Sequence, residues 1–192
     1  MSLDSREFSV WVQSVLCIPK VGRKTAWKVF EEFPDGIEEE SDFLDFLAEQ
    51  SIKIPRMKPV AQSDASGYLK LARGIIEKTY QNKGSVLNFR DFPPKLSSSV
   101  DPPLLLHCLG DASIIHERGA AVIGTREPTE FGYNKAEELG VKLAHHKQVV
   151  ISGLALGCDT GGHAGCLMGN GKTIAVLAHG LDSMYPVENR EL

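Results

Sequence analysis

The most constraining feature of this chain recurs three times in its second half: a short apolar run stops at a glycine or a small hydroxyl residue. Ala120–Ile123 stops at Gly124-Thr125-Arg126, Val149–Ile151 at Ser152-Gly153, and Thr173–Leu177 at Ala178-His179-Gly180. Helical patterns separate the runs. Tyr133–His146 carries Ala136, Leu139, Leu143 and Ala144 at helical spacing, and Asp159–Met168 reads as a helix of small residues. Runs this short and apolar suit buried strands, and the helices supply the crossovers that parallel strands need. The pattern predicts an α/β fold: a parallel sheet of right-handed βαβ units with helices on both faces.

The first half reads as helical. Phe8, Trp11, Val12 and Val15 fall at i, i+3, i+4, i+7, and Ala26, Trp27, Val29, Phe30 and Phe33 form a second stripe that Pro34-Asp35-Gly36 stops. Ser41, just ahead of Phe43, Leu44, Phe46 and Leu47, is a candidate N-cap for a short helix. Ile54–Pro59 connects to a further helix over Asp64–Tyr80. After Gly84 the texture changes, with a strand candidate at Ser85–Asn88 and proline pairs at Pro93-Pro94 and Pro102-Pro103. We therefore expect a small all-helical domain over 1–83, an ordered linker over 84–103 and a sheet domain over 104–192.

Charge limits the choice of partner. The net charge is −4, and neither half is basic: residues 1–87 hold 12 Lys and Arg against 13 Asp and Glu, residues 88–192 hold 9 against 12. A polyanion would have to bind through a local patch, since global charge gives no attraction. Cys17, Cys108, Cys158 and Cys166 show no CxxC spacing, so reduced thiols in a cytoplasmic protein are expected. The histidines lack HExxH or paired Cys/His spacing, and no metal site is expected. No apolar run approaches the roughly 18 residues of a membrane span, and no signal-peptide pattern opens the chain, so neither a membrane nor secretion is expected.

Four stretches carry chemistry. Ile18–Ala26 looks like a helix-hairpin-helix turn, in which Lys20, Gly22, Arg23 and Lys24 would offer backbone N–H groups and positive charge to a phosphate. Its hairpin reads Lys20-Val21-Gly22 where Gly-x-Gly is usual, and a plain bundle turn with solvated lysines is the alternative. In the second stretch Gly124, the Thr125 hydroxyl and Arg126 follow a strand, where they could hold a phosphate or form an ordinary strand-to-helix turn. The third, Ser152-Gly153-Leu154-Ala155-Leu156-Gly157, is another glycine-bearing strand end. Asp159, a candidate cap for the next helix, and His163, one turn on, read as a buried hydrogen-bonded structural pair, because no nucleophile motif accompanies them. The fourth is His179-Gly180, which could meet a base or phosphate or serve only its own loop.

Taken in order, these strings resemble the DNA-processing protein A family (DprA, also called Smf). They are Gly124-Thr125-Arg126 with Gly132, Ser152-Gly153-Leu154-Ala155-x-Gly157-x-Asp159-Thr160-x-x-His163, Thr173–Leu177, Gly180-Leu181-Asp182, and Tyr185-Pro186-x-Glu188-Asn189. Asp91-Phe92-Pro93-Pro94-x-Leu96 and Asp101-Pro102-Pro103 look like that family's lead-in. The resemblance implies a Rossmann-like domain preceded by a small helical (SAM or helix-hairpin-helix-like) domain. It implies a cytoplasmic, non-enzymatic protein without cofactor that binds single-stranded DNA in natural transformation, competence and recombination, loads RecA and forms a homodimer. Gly124, Thr125 and Arg126 would hold a DNA phosphate, and the Gly153–Gly157 loop, with Ser152, His179 and Gly180 nearby, would line the same pocket. Phe131 and Tyr133 are the nearest aromatic candidates for base stacking.

Two expectations compete with that implication. Family members run well past Asn189, so the chain resembles only the N-terminal half of their sheet domain, and full DNA affinity and dimerisation depend on that difference. The alternative is a Rossmann-type nucleotide-binding protein or phosphoribohydrolase-like enzyme. The Pro-Gly-Gly-x-Gly-Thr loop of such enzymes does not occur in the sequence.

Overall fold

A computed structural model of the chain describes residues 4–192 apart from Asp35 and Arg56. The middle residue of the Pro34-Asp35-Gly36 stop signal therefore lies outside the described residues. The chain divides into two compact units, one running through Gly110 and the other Asp111–Leu192.

The first unit begins with four helices: α1 (Ser5–Leu16), α2 (Arg23–Glu31), α3 (Glu40–Lys53) and α4 (Gln62–Gln81). The Asp4 carboxylate caps α1 by accepting the Arg6 N–H at 3.3 Å. α3 starts one residue ahead of Ser41, with Glu39 at its N-cap and no side-chain capping bond, so Ser41 does not cap it. The helices enclose large side chains. Trp11 is fully buried and stacks on Phe43 with ring centroids 4.7 Å apart, while Phe8 meets Phe30, Phe33 and Phe89 edge-on at 5.5–5.8 Å.

The same unit continues through β1 (Gly84–Asn88), a one-turn helix α5 (Pro94–Ser97) and β2 (Leu105–Leu109). β1 and β2 pair antiparallel, from Gly84 opposite Leu109 to Asn88 opposite Leu105. The units thus divide at Gly110 instead of near residue 84, and Leu105–Leu109 lies outside the parallel sheet. The physical reason is docking onto the helices. Val86 and Leu104 join the helical core. Buried Asn88 donates to the Ser5 and Ser9 hydroxyls at 2.9 and 3.2 Å, and the Trp27 indole N–H donates to the Pro102 carbonyl at 2.9 Å.

The second unit is the predicted α/β element. β3 (Gly119–Ala121), α6 (Glu130–His145), β4 (Val149–Ser152), α7 (Cys158–Met168) and β5 (Thr173–Ala175) alternate, and the strands form a parallel sheet in the order β3-β4-β5. α6 starts where Thr129 caps it, its hydroxyl accepting the Gly132 N–H at 3.2 Å. α6 and α7 pack on each other and on the sheet through Val122, Ala136, Ala144, Val150 and Cys166. Crossovers of one hand that always step in the same direction put both helices on one side. Within these three strands one face is therefore covered, where the sequence pattern predicts helices on both, and Ile123 at 77% and Val176 at 59% stand exposed beyond the strand ends. Among the described residues no helix is long and apolar enough to cross a membrane.

Candidate functional site

The three strand-end turns of the sequence lie at the carboxyl ends of β3, β4 and β5, where ligands bind in open α/β sheets. The first two are in direct contact. The Cys158 N–H donates to the Thr125 carbonyl at 3.1 Å. Gly157, at φ +84°, lies so close to Thr125 and Arg126 that a Cβ there would overlap their backbone, and a Cβ on Gly124 would sit 2.6 Å from the Cys158 sulfur. Both glycines are thus required by close approach, and Gly157 by its left-handed backbone as well.

The Gly124–Arg126 turn is exposed and open to a ligand. Among the described residues the backbone N–H groups of Gly124, Thr125 and Arg126 have no hydrogen-bond partner, and the Arg126 guanidinium has neither a hydrogen bond nor an ion pair. The Thr125 hydroxyl oxygen accepts the Glu127 N–H at 3.2 Å, which leaves its proton free to donate. Phe131, in the first turn of α6, is 71% exposed and has the Lys135 ammonium 5.7 Å from its ring centre; Tyr133 is half-buried. Lys135 and Lys142 both bond Glu138, and together they pull its carboxyl down to about 2.

The β4–α7 loop is occupied from within. The Asp159 carboxylate accepts the Gly153 N–H at 3.0 Å and the Ala155 N–H at 3.4 Å. It therefore braces the preceding loop instead of capping α7, whose N-cap is Gly157 without a side-chain bond. Ser152 is buried and donates to the Val122 carbonyl at 2.5 Å. Leu154 is buried at φ +60°. An anion reaching this loop would find two of its amides already taken by a protein carboxylate.

Asp159 and His163 are both buried, but they are not hydrogen-bonded to each other. His163 Nδ1 lies 2.5 Å from the Thr173 hydroxyl, which itself donates to the Val150 carbonyl at 2.9 Å. Nδ1 is then the ring N–H donor, and buried Nε2 is an acceptor with no partner among the described residues. Burial pushes the His163 pKa below its ordinary value, against the opposing pull of the Asp159 charge. Cys166 is buried in the core, where desolvation pushes its thiol pKa up.

The remaining predicted residues serve their own surroundings. His179 sets Nδ1 3.0 Å from the Gly180 carbonyl and Nε2 3.1 Å from the Tyr185 carbonyl, and the nitrogen that carries the ring N–H donates to its carbonyl within the turn that contains Gly180. In the first unit, Lys20 adopts φ +67°, Gly22 caps α2 without a side-chain bond, and Arg23 forms a two-pronged ion pair with Asp101. Lys20 and Lys24 are exposed. One residue of the β4–α7 loop network has no role in the sequence reading. Asn189 is 5% exposed, and its side-chain amide donates to the Leu154 carbonyl and the Thr160 hydroxyl, both at 2.9 Å. Its only sequence signal is its place in the Pro186-x-Glu188-Asn189 string.

Fold and turns together define a class: an α/β domain that presents an uncommitted arginine and free amides at a strand end, preceded by a helical unit. The family model for the DNA recombination-mediator protein A matches residues 85–192. That is more than half of the chain, and the chain belongs to this family. DNA processing protein DprA of Bacillus subtilis is 33% identical over 127 residues, which cover 65% of this chain and 43% of that protein. The DprA of Streptococcus pneumoniae is 33% identical over 126 residues, covering 65% and 44%. The X-ray structure of the S. pneumoniae protein superposes with a TM-score of 0.71 at 26% identity, covering all of this chain and 63% of that one. A structure concerned with the single-stranded DNA binding mode of DNA processing protein A from Helicobacter pylori matches at TM-score 0.50 and 33% identity, over 56% of this chain and 48% of that one. The chain thus spans less than half the length of these two curated relatives.

Proposed function

We propose that this chain binds single-stranded DNA in DNA processing, with a backbone phosphate seated at Gly124, Thr125 and Arg126. The observation that carries the reading is the exposed Arg126 guanidinium without a partner, beside three free amides at the end of β3. A charged fork next to unpaired N–H donors suits a phosphate oxygen. The reading is supported by the name shared among the relatives and by the subject of the H. pylori structure. Within it, the β4–α7 loop shapes the pocket more than it supplies donors, because Asp159 holds two of its amides. Exposed Phe131 offers a face to an unstacked base, which a duplex does not present. Lys20, Gly22 and Lys24 form a second candidate contact, and RecA loading and homodimer formation are further proposals for the whole family protein.

The test is fluorescence anisotropy of a labelled single-stranded oligonucleotide across a salt series, with a duplex competitor. Arg126→Ala is expected to weaken binding by about 1.5–3 kcal/mol, the range for hydrogen bonds to charged groups. It is also expected to lower the salt slope by about 0.7, the share of one phosphate on a single strand. Unchanged affinity in a folded Arg126→Ala variant removes the turn from the site.

A further inference from the structure

The β4–α7 loop is gripped on both of its polar edges. Asp159 takes the N–H groups of Gly153 and Ala155. Asn189 takes the carbonyl of Leu154 at 2.9 Å and reaches that of Ala155 at 3.5 Å, while the Thr160 hydroxyl donates to the Ala155 carbonyl at 2.8 Å. Asn189 also donates to that hydroxyl at 2.9 Å, so one buried amide closes the network. Between the two grips Leu154 holds φ +60°, a conformation that a bulky side chain rarely adopts and that its surroundings must enforce. The far end of the loop, Gly157 and Cys158, bears directly on Thr125 and Arg126. A continuous chain of contacts therefore runs from Asn189 through Leu154 and Ala155 to the arginine turn.

We infer that Asn189 is a positioning residue for the candidate DNA site: its amide fixes the β4–α7 loop, and the loop fixes the Gly124–Arg126 turn. The inference rests on the phosphate reading of that turn. Only an NH₂ group meets the geometry, since every atom it faces is an oxygen able to accept. A carboxylate at the same place would face the two carbonyls without a proton to give.

Two readouts test this, and the first needs no ligand. In Asn189→Ala, hydrogen exchange of the Gly153–Gly157 amides is expected to accelerate about tenfold or more, the effect of losing roughly 1.4 kcal/mol of hydrogen bonding. Exchange in α1–α4 serves as the reference, and unchanged loop exchange overturns the inference. The second readout is a double-mutant cycle on oligonucleotide binding. Asn189→Ala is expected to weaken binding about tenfold, and Arg126→Ala to cost less in the Asn189→Ala background than alone. Full additivity means that Asn189 only stabilises the fold, and it overturns the positioning role. If Arg126→Ala alone leaves affinity unchanged, the phosphate reading fails, and with it the role of Asn189 at that site, while loop exchange still reports whether Asn189 fixes the loop. Should Asn189→Ala fail to fold, Thr160→Val, which removes one acceptor of the same amide, is expected to show both effects in weaker form. Its failure to change either readout overturns the inference.

Discussion

In the first unit the core is made of bulk: Trp11, Phe8, Phe43, Leu47, Leu69 and Ile76 are buried together, with aromatic rings in mutual contact. In the second unit the buried centre is Val122, Ala136, Ala144, Val150 and Cys166, and the helices meet through glycine. A Cβ on Gly140 would overlap the Gly162 carbonyl, and one on Gly165 the Glu137 carbonyl. The first unit is stabilised by apolar area, the second by backbone approach. The difference explains why the chemistry sits where it does. Close-packed helices hold the strand ends still, so the turns at those ends can carry unpaired donors and a left-handed leucine.

The strongest test of the contrast is a single methyl group. Gly165→Ala drives a Cβ into backbone that cannot rotate away, so the second unit is expected to lose about 3 kcal/mol or more, the upper end of overpacking costs. Thermal unfolding, with hydrogen exchange resolved to α6 and α7, measures it. A folded variant of unchanged stability would show that α6 and α7 can separate cheaply, and the contrast would be lost.

Acid probes the second unit by another route. His163 is held neutral by burial, so its folded pKa lies below the ordinary 6.5. Below pH 6.5 the unfolded chain binds the proton more readily than the folded one, so stability is present at neutral pH and falls as pH drops through that value. One proton limits the slope to about 1.4 kcal/mol per pH unit. Exchange in α7 and β5 is expected to accelerate on going from pH 7 to pH 5, after correction for intrinsic rates. His163→Gln is expected to flatten that response; an unchanged response places the acid sensitivity elsewhere. His107, on β2 in the first unit, is also lowered by burial, so the readout must be resolved by unit.

The elements of the second unit were legible because each strand end announces itself in local sequence, as at Gly124-Thr125-Arg126 and Ser152-Gly153. What escaped the sequence was long-range. Asn88 and Phe89 pull residues 84–110 onto the helices through contacts some eighty residues apart, and no local pattern encodes them. Proline pairs read as a linker, yet Pro102 accepts a bond from Trp27. At the site, the turn and its arginine were legible from residue type. The occupancy of the β4–α7 amides was not, because Asp159 at the start of a helix looks the same whether it caps forward or reaches back to Gly153.

The gentlest test reverses the sign of the first. Gly74 lies inside α4 with open space where a Cβ would go, and it is solvent-exposed. Alanine there removes the backbone freedom that glycine keeps in the unfolded chain and adds no clash, so Gly74→Ala is expected to stabilise the first unit by about 0.5–1 kcal/mol. Chemical denaturation of Gly74→Ala and Gly165→Ala side by side then compares one substitution in two helical settings. Opposite signs are what two different modes of packing require. If Gly74→Ala also destabilises, the α4 face is constrained by something other than helix propensity, and the first unit is less tolerant of added volume than its open surface indicates.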